Sequence, residues 1–127
     1  MRQIVRECDV EAAITIVADP TDAQIRDMIA ASSFVISASQ YEGFGLVIPE
    51  LMSYGLIPVL NAIPAFSYFI EAAHIGQLFD ANQASFTAAV ERAVANRSPA
   101  VAAKAREFAE LYSWDKIARR FEAVYVA

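Results

Sequence analysis

The sequence predicts an α/β fold: a Rossmann-like parallel sheet of about four strands with helices on both faces. Three observations lead there. Short apolar runs alternate with segments of helical periodicity along the whole chain, the pattern of strands joined by right-handed helical crossovers. The short runs are continuous rather than alternating, as strands buried on both faces require, and the apolar fraction of 57% exceeds the usual value of about 45–50%. The segment from Phe34 to Glu50 reads as strand, tight loop and helix N-terminus in immediate succession.

The elements follow in order. Residues 1–8 read as the end of a helix, although such a sheet normally opens with a strand. Ile14-Thr15-Ile16-Val17 is the first strand-like run. Thr21-Asp22-Ala23-Gln24 has capping-box spacing and starts a helix with Ile25, Met28 and Ile29 on one face. Phe34-Val35-Ile36-Ser37 is the second strand. Leu46 to Tyr54 forms a helix, with Pro49 tolerated in its first turn and Gly55 stopping it. Pro58-Val59-Leu60 and Gln77-Leu78-Phe79 are further strands, separated by a short helix over Phe66 to Ala73. Phe86, Ala89, Val90, Ala93 and Val94 make one helical stripe. Helices from Pro99 to Leu111 and from Trp114 to Val126 close the chain, the last capped by Ser113.

Composition excludes several functions. A chain of 127 residues is one domain with room for a core. Net charge is −5 with no basic cluster, so nucleic acid is not an expected partner. No apolar run reaches the ~18–20 residues that span a bilayer, and the first residues lack the apolar core of a signal peptide. Cys8 is the sole cysteine and cannot form an internal disulfide, which suits a reducing, cytoplasmic setting. One His and one Cys give no metal cluster of the usual ligands, and no cofactor is implied.

The run Glu42-Gly43-Phe44-Gly45-Leu46-Val47-Ile48-Pro49-Glu50 carries the chemistry. A strand that turns tightly into a helix N-terminus presents free backbone N–H groups and a positive dipole end, which suits phosphate. Glycines let a ligand approach the main chain. Carboxylates on either side accept hydrogen bonds from hydroxyls, each strengthened by charge. A nucleotide diphosphate sugar has this shape: phosphates in the middle, hydroxyls at both ends. Each residue also has a plainer reading. Glu42 can be a solvated loop residue, Glu50 a helix-surface residue, and the glycines an ordinary turn. The Phe44 ring can simply pack beneath the loop, leaving its backbone N–H for a ligand, and the side chains of Leu46 and Val47 are expected in the core.

The segment Ser39-Gln40-Tyr41-Glu42-Gly43-Phe44-Gly45-Leu46, with Glu50, Met52 and Gly55-Leu56-Ile57-Pro58-Val59, resembles the E-x7-E signature of retaining glycosyltransferases of family 4, which have the GT-B fold. The likeness continues through Gly76-Gln77-Leu78-Phe79-Asp80 and Ser113-Trp114-Asp115-Lys116. It implies half of a GT-B fold, the C-terminal donor-binding domain, without its first strand or the N-terminal acceptor domain. By the resemblance, Glu42 contacts the transferred sugar as the catalytic carboxylate. Gly43, Phe44, Gly45, Leu46 and Val47 line the sugar and diphosphate through their backbone, and Glu50 holds the ribose diol. The loop Ala18-Asp19-Pro20-Thr21 would lie near the base, although Asp19 is equally a turn former.

The loop Asn61-Ala62-Ile63-Pro64-Ala65-Phe66 departs from the Gly-Gly loop common in the family. With Gly-Leu-Ile-Pro-Val before it, it is similar to bacterial exopolysaccharide mannosyltransferases, which implies GDP-mannose as donor and a lipid-linked glycan as acceptor. The family's basic pair for the diphosphate has no match in this chain. The isolated chain is expected to be inactive, and to self-associate as a two-fold dimer through an exposed sheet edge or the last helix. The alternative is a non-catalytic nucleotide-sugar-binding or oligomerisation module on the same fold. His74 reads as a helix C-terminal residue, Cys8 as structural, Trp114 as a core anchor of the last helix, and Arg119 and Arg120 as a solvated face.

Overall fold

A computed structural model describes residues 2–125. The helices are α1 (Arg2–Glu7), α2 (Asp22–Ala31), α3 (Val47–Ser53), α4 (Pro64–Ala73), α5 (Gln83–Ala95), α6 (Pro99–Ala109) and α7 (Trp114–Tyr125). The strands are β1 (Phe34–Ser37), β2 (Ile57–Asn61) and β3 (Gln77–Phe79), forming an open parallel sheet in the order β1-β2-β3. Phe34 lies opposite Ile57, and Val59 opposite Gln77. Short 3-10 turns occupy Glu11–Ala13 and Glu110–Tyr112.

Successive side chains along a strand point to opposite faces of the sheet, and each face has its own core. On one face Val35 and Leu60 meet Ile48 and Met52 of α3, Phe66 and Phe69 of α4, and Ala105, Phe108 and Ala109 of α6. On the other, Val59 and Phe79 meet Ala89 and Ala93 of α5. The placement follows from connectivity. Two right-handed crossovers stepping the same way across a sheet, β1-α3-β2 and β2-α4-β3, must put both helices on one side. β2, between the other two strands, is buried along its whole length.

Local signals set the ends. Thr21 and Gln24 form a reciprocal capping box. Asn82 and Ser98 cap α5 and α6 by accepting from the Ser85 and Val101 N–H groups. His74 ends α4 in the left-handed region at φ 52°, its N–H donating to the Ile70 carbonyl.

Four details differ from the sequence reading. Ile14–Val17 is not a strand, so the sheet has three strands where about four were expected. An apolar run becomes a strand only with a hydrogen-bonding neighbour, and β1, the nearest strand in sequence, pairs with β2 alone. Of the face Ile25, Met28 and Ile29, only Ile29 packs on the core; Ile25 and Met28 are exposed. Cys8 is exposed rather than structural. Trp114 is 82% exposed and anchors nothing in the core. Val126, the expected last residue of the final helix, lies outside the described residues. Among the described residues, no helix is long and apolar enough to cross a membrane.

Candidate functional site at the carboxyl edge of the sheet

All three strands run the same way, so the loops after β1, β2 and β3 gather at one edge. In open parallel sheets that carboxyl edge is where ligands bind. The loop of residues 38–46 leaves β1 there and enters α3. Glu42 is half-buried, Gly43 exposed, and Glu50 exposed in the first turn of α3.

The two glycines differ in kind. Gly45 has φ +80°, and a Cβ on it would sit 2.8 Å from the Phe66 ring, so the fold itself demands glycine there. Gly43 has an ordinary φ, and an added Cβ would meet nothing within 4 Å. The protein's own packing therefore does not require glycine at 43.

Helix α3 begins at Leu46 without a side-chain cap. The Ile48 N–H donates to the Gly45 carbonyl at 2.9 Å and the Glu50 N–H to the Leu46 carbonyl at 3.2 Å. Ile48, Pro49 and Met52 form its buried face. Leu46 and Val47 were expected in the core; they are 64% and 51% exposed. Helical geometry gives the reason: residues three and four apart share a face, so Leu46 and Val47 align with exposed Glu50, not with Ile48 and Met52.

Phe44 turns back onto the body of the protein. Its ring meets Phe69 edge-on at 5.2 Å and Tyr112 at 5.6 Å. Burial raises the Tyr112 phenol well above the usual tyrosine range, and its hydrogen bond with Tyr68 adds to this. The other end of the loop is tied by Asn61, which is only 6% exposed. Asn61 Nδ2 donates to the Ser39 carbonyl at 3.0 Å, while Ser37 Oγ donates to Ser39 Oγ at 3.3 Å. Sequence reasoning missed Asn61, Phe69 and Tyr112. The signal for Asn61 was present: a polar residue ending the otherwise apolar strand Ile57-Pro58-Val59-Leu60. For the two rings there was none, since the partners are distant in sequence.

Asp19 is exposed at φ 48°, a left-handed turn position. A groove of about 670 Å³ at the amino edge is lined by Ser33, Phe34, Gly55, Ile57, Arg97 and Arg106, among others. A hollow of about 180 Å³ lies between Val5 and Ile16. Among the described residues, no group of three or more His, Cys, Asp or Glu is placed to hold a metal ion.

Residues 1–111 match the family described as glycosyl transferases group 1. The chain belongs to that family. Over 98% of its length, this group 1 domain is 32% identical to GDP-mannose:cellobiosyl-diphosphopolyprenol alpha-mannosyltransferase of Komagataeibacter xylinus. It is 33% identical over 66 residues, 52% of the chain, to the enzyme of the same name from Xanthomonas oryzae pv. oryzae. The group 1 fold superposes on sucrose-phosphate synthase from Thermosynechococcus elongatus with a TM-score of 0.81, at 24% identity over 98% of this chain. The fold is thus a parallel α/β fold found within a GT-B protein. The chain spans about a third of both longer proteins, 33% of the mannosyltransferase and 32% of the synthase.

Proposed function

We propose that this group 1 domain is the donor-binding half of a retaining glycosyltransferase, completed by an amino-terminal acceptor domain. One observation carries the reading. A loop at the carboxyl edge runs into the uncapped start of α3, with carboxylates on both sides and a glycine at 43 that the fold does not need. The absence of a side chain at Gly43 lets a ligand approach the main chain closely.

The chemistry follows from the residue types. Glu42 accepts hydrogen bonds from hydroxyls of the sugar being moved, where a contact can tighten as charge develops in the transition state. Backbone N–H groups of residues 43–47, with the dipole of α3, stabilise the negative charge that builds on the departing nucleoside diphosphate. Glu50 accepts from a vicinal ribose diol. The relatives are named for GDP-mannose and a diphosphopolyprenol-linked acceptor, which supports mannose as the sugar and a lipid-linked glycan as the acceptor. Their α-mannosyl product is what retention from an α-configured donor gives. Polysaccharide synthesis at the inner face of a membrane fits such an acceptor.

The test is titration of a protein joining this domain to its amino-terminal half with GDP-mannose, UDP-glucose and ADP-glucose. GDP-mannose should bind tightest. Glu50→Ala should weaken it by roughly 1–3 kcal/mol, the worth of a charged hydrogen bond. Glu42→Ala should reduce turnover more than binding. Wild-type kinetics in both variants with every donor would overturn the assignment.

A further inference from the structure

We propose that Tyr112, seated against Phe69, is a positioning residue for the ligand loop: an aromatic clamp that holds Phe44 and so fixes the Gly43–Gly45 backbone. The proposal rests on the donor-binding reading for its functional consequence, but not for its structural content.

Loop 38–46 has a firm tie at each end. Asn61 holds Ser39 at the start, and the Gly45 carbonyl receives the Ile48 N–H at the finish. Between them, Phe44 stands with glycine on both sides. Glycine restricts its own backbone least of all residues, so the flanks do little to fix where the loop sits. The ring decides instead. It docks on Phe69 at 5.2 Å with planes at 77°, and on Tyr112 at 5.6 Å with planes at 57°. Both fall in the favoured edge-on or tilted range for aromatic pairs.

The two receiving rings are themselves held. Phe69 is fully buried in α4. Tyr112 leans on Phe108 at 5.4 Å and on Phe69 at 5.9 Å, and its hydroxyl donates to that of Tyr68 at 3.2 Å. Tyr112 thus joins the loop to α4 and to α6. It also closes the turn that leads into α7, so that junction and the ligand loop share a side chain.

Removing one aromatic pair should raise the population of the undocked loop by about 2- to 10-fold. The experiment is backbone NMR relaxation on this chain, wild type against Tyr112→Ala, Tyr112→Phe and Phe44→Leu, with GDP-mannose affinity measured on the same samples. Tyr112→Ala and Phe44→Leu should lower the order parameters of residues 41–46 and raise the undocked population seen by relaxation dispersion by about 2- to 10-fold. Order parameters in β2 should stay unchanged, and Tyr112→Phe, which keeps the ring, should behave like wild type. Where wild type binds GDP-mannose, Tyr112→Ala should weaken binding by a similar factor, with Tyr112→Phe restoring it. Unchanged loop relaxation in both Tyr112→Ala and Phe44→Leu overturns the clamp. If Tyr112→Ala fails to fold, Phe44→Leu decides alone. A loosened loop in a chain that binds no GDP-mannose supports the clamp and counts against the donor reading instead.

Discussion

Gly43 and Gly45 sit two residues apart and answer to different constraints. At Gly45 any side chain takes on a left-handed backbone conformation and a contact with Phe66 at 2.8 Å. Gly45→Ala should therefore destabilise the chain by about 1–3 kcal/mol, read as a lower denaturation midpoint. Gly43 has neither burden. Gly43→Ala should leave stability unchanged or raise it by up to about 1 kcal/mol, because alanine has less freedom to lose on folding. In a protein carrying both domains, the proposed donor site predicts that the same substitution weakens nucleotide-sugar binding, since a methyl group would stand between ligand and main chain. Calorimetric unfolding and donor titration on one pair of variants separate the two roles. An unaltered donor affinity in Gly43→Ala would remove the main support for a ligand at this loop.

At the scale of elements, α3 and α7 show the same physics with opposite outcomes. In α3 one face, Ile48 and Met52, is buried without remainder, and the other presents Leu46, Val47 and Glu50. In α7 the apolar stripe Trp114, Ile117, Phe121, Val124 and Tyr125 has helical spacing, yet Trp114, Phe121, Val124 and Tyr125 are all exposed, and no residue of α7 is buried. Its contacts run chiefly to the 3-10 turn just before it. An exposed apolar stripe of this size favours contact with another polypeptide surface. Trp114→Ser combined with Phe121→Ser should cost less than about 1 kcal/mol in stability, because neither side chain leaves a cavity. The pair should also reduce self-association of the chain, measured by sedimentation velocity. A large stability loss would mean that α7 packs more tightly than its exposure indicates.

For the whole molecule, β1 is an edge strand, paired among the described residues with β2 on one side only. An unpaired strand edge and an exposed apolar helix both favour contact with another polypeptide. The chain by itself should self-associate at micromolar concentration, visible by light scattering, and should transfer no sugar. On the proposed reading, joining an amino-terminal acceptor domain to the chain should suppress association and supply the acceptor site. Enzyme-dependent transfer by the purified 127-residue chain would contradict this. So would a clean monomer, for the association half of the prediction.

The sequence by itself determined the class of fold, the order of nearly every element and the strand-loop-helix succession on which the proposed site rests. These are local matters: continuous apolar runs, capping residues such as Thr21, Asn82 and Ser98, and the strand-loop-helix succession from Phe34 to Glu50. Tertiary structure decided what depends on a distant partner. Ile14–Val17 has strand composition and no ladder, because pairing needs a neighbour that composition cannot announce. Leu46, Val47 and Trp114 are apolar and exposed, because burial depends on what covers a face and not only on the side chain. Phe44 meets Phe69 and Tyr112 across 25 and 68 residues of chain, and Asn61 reaches back 22 residues to Ser39. Long-range contacts of this kind leave no periodicity behind. They position the loop whose existence the sequence already declares.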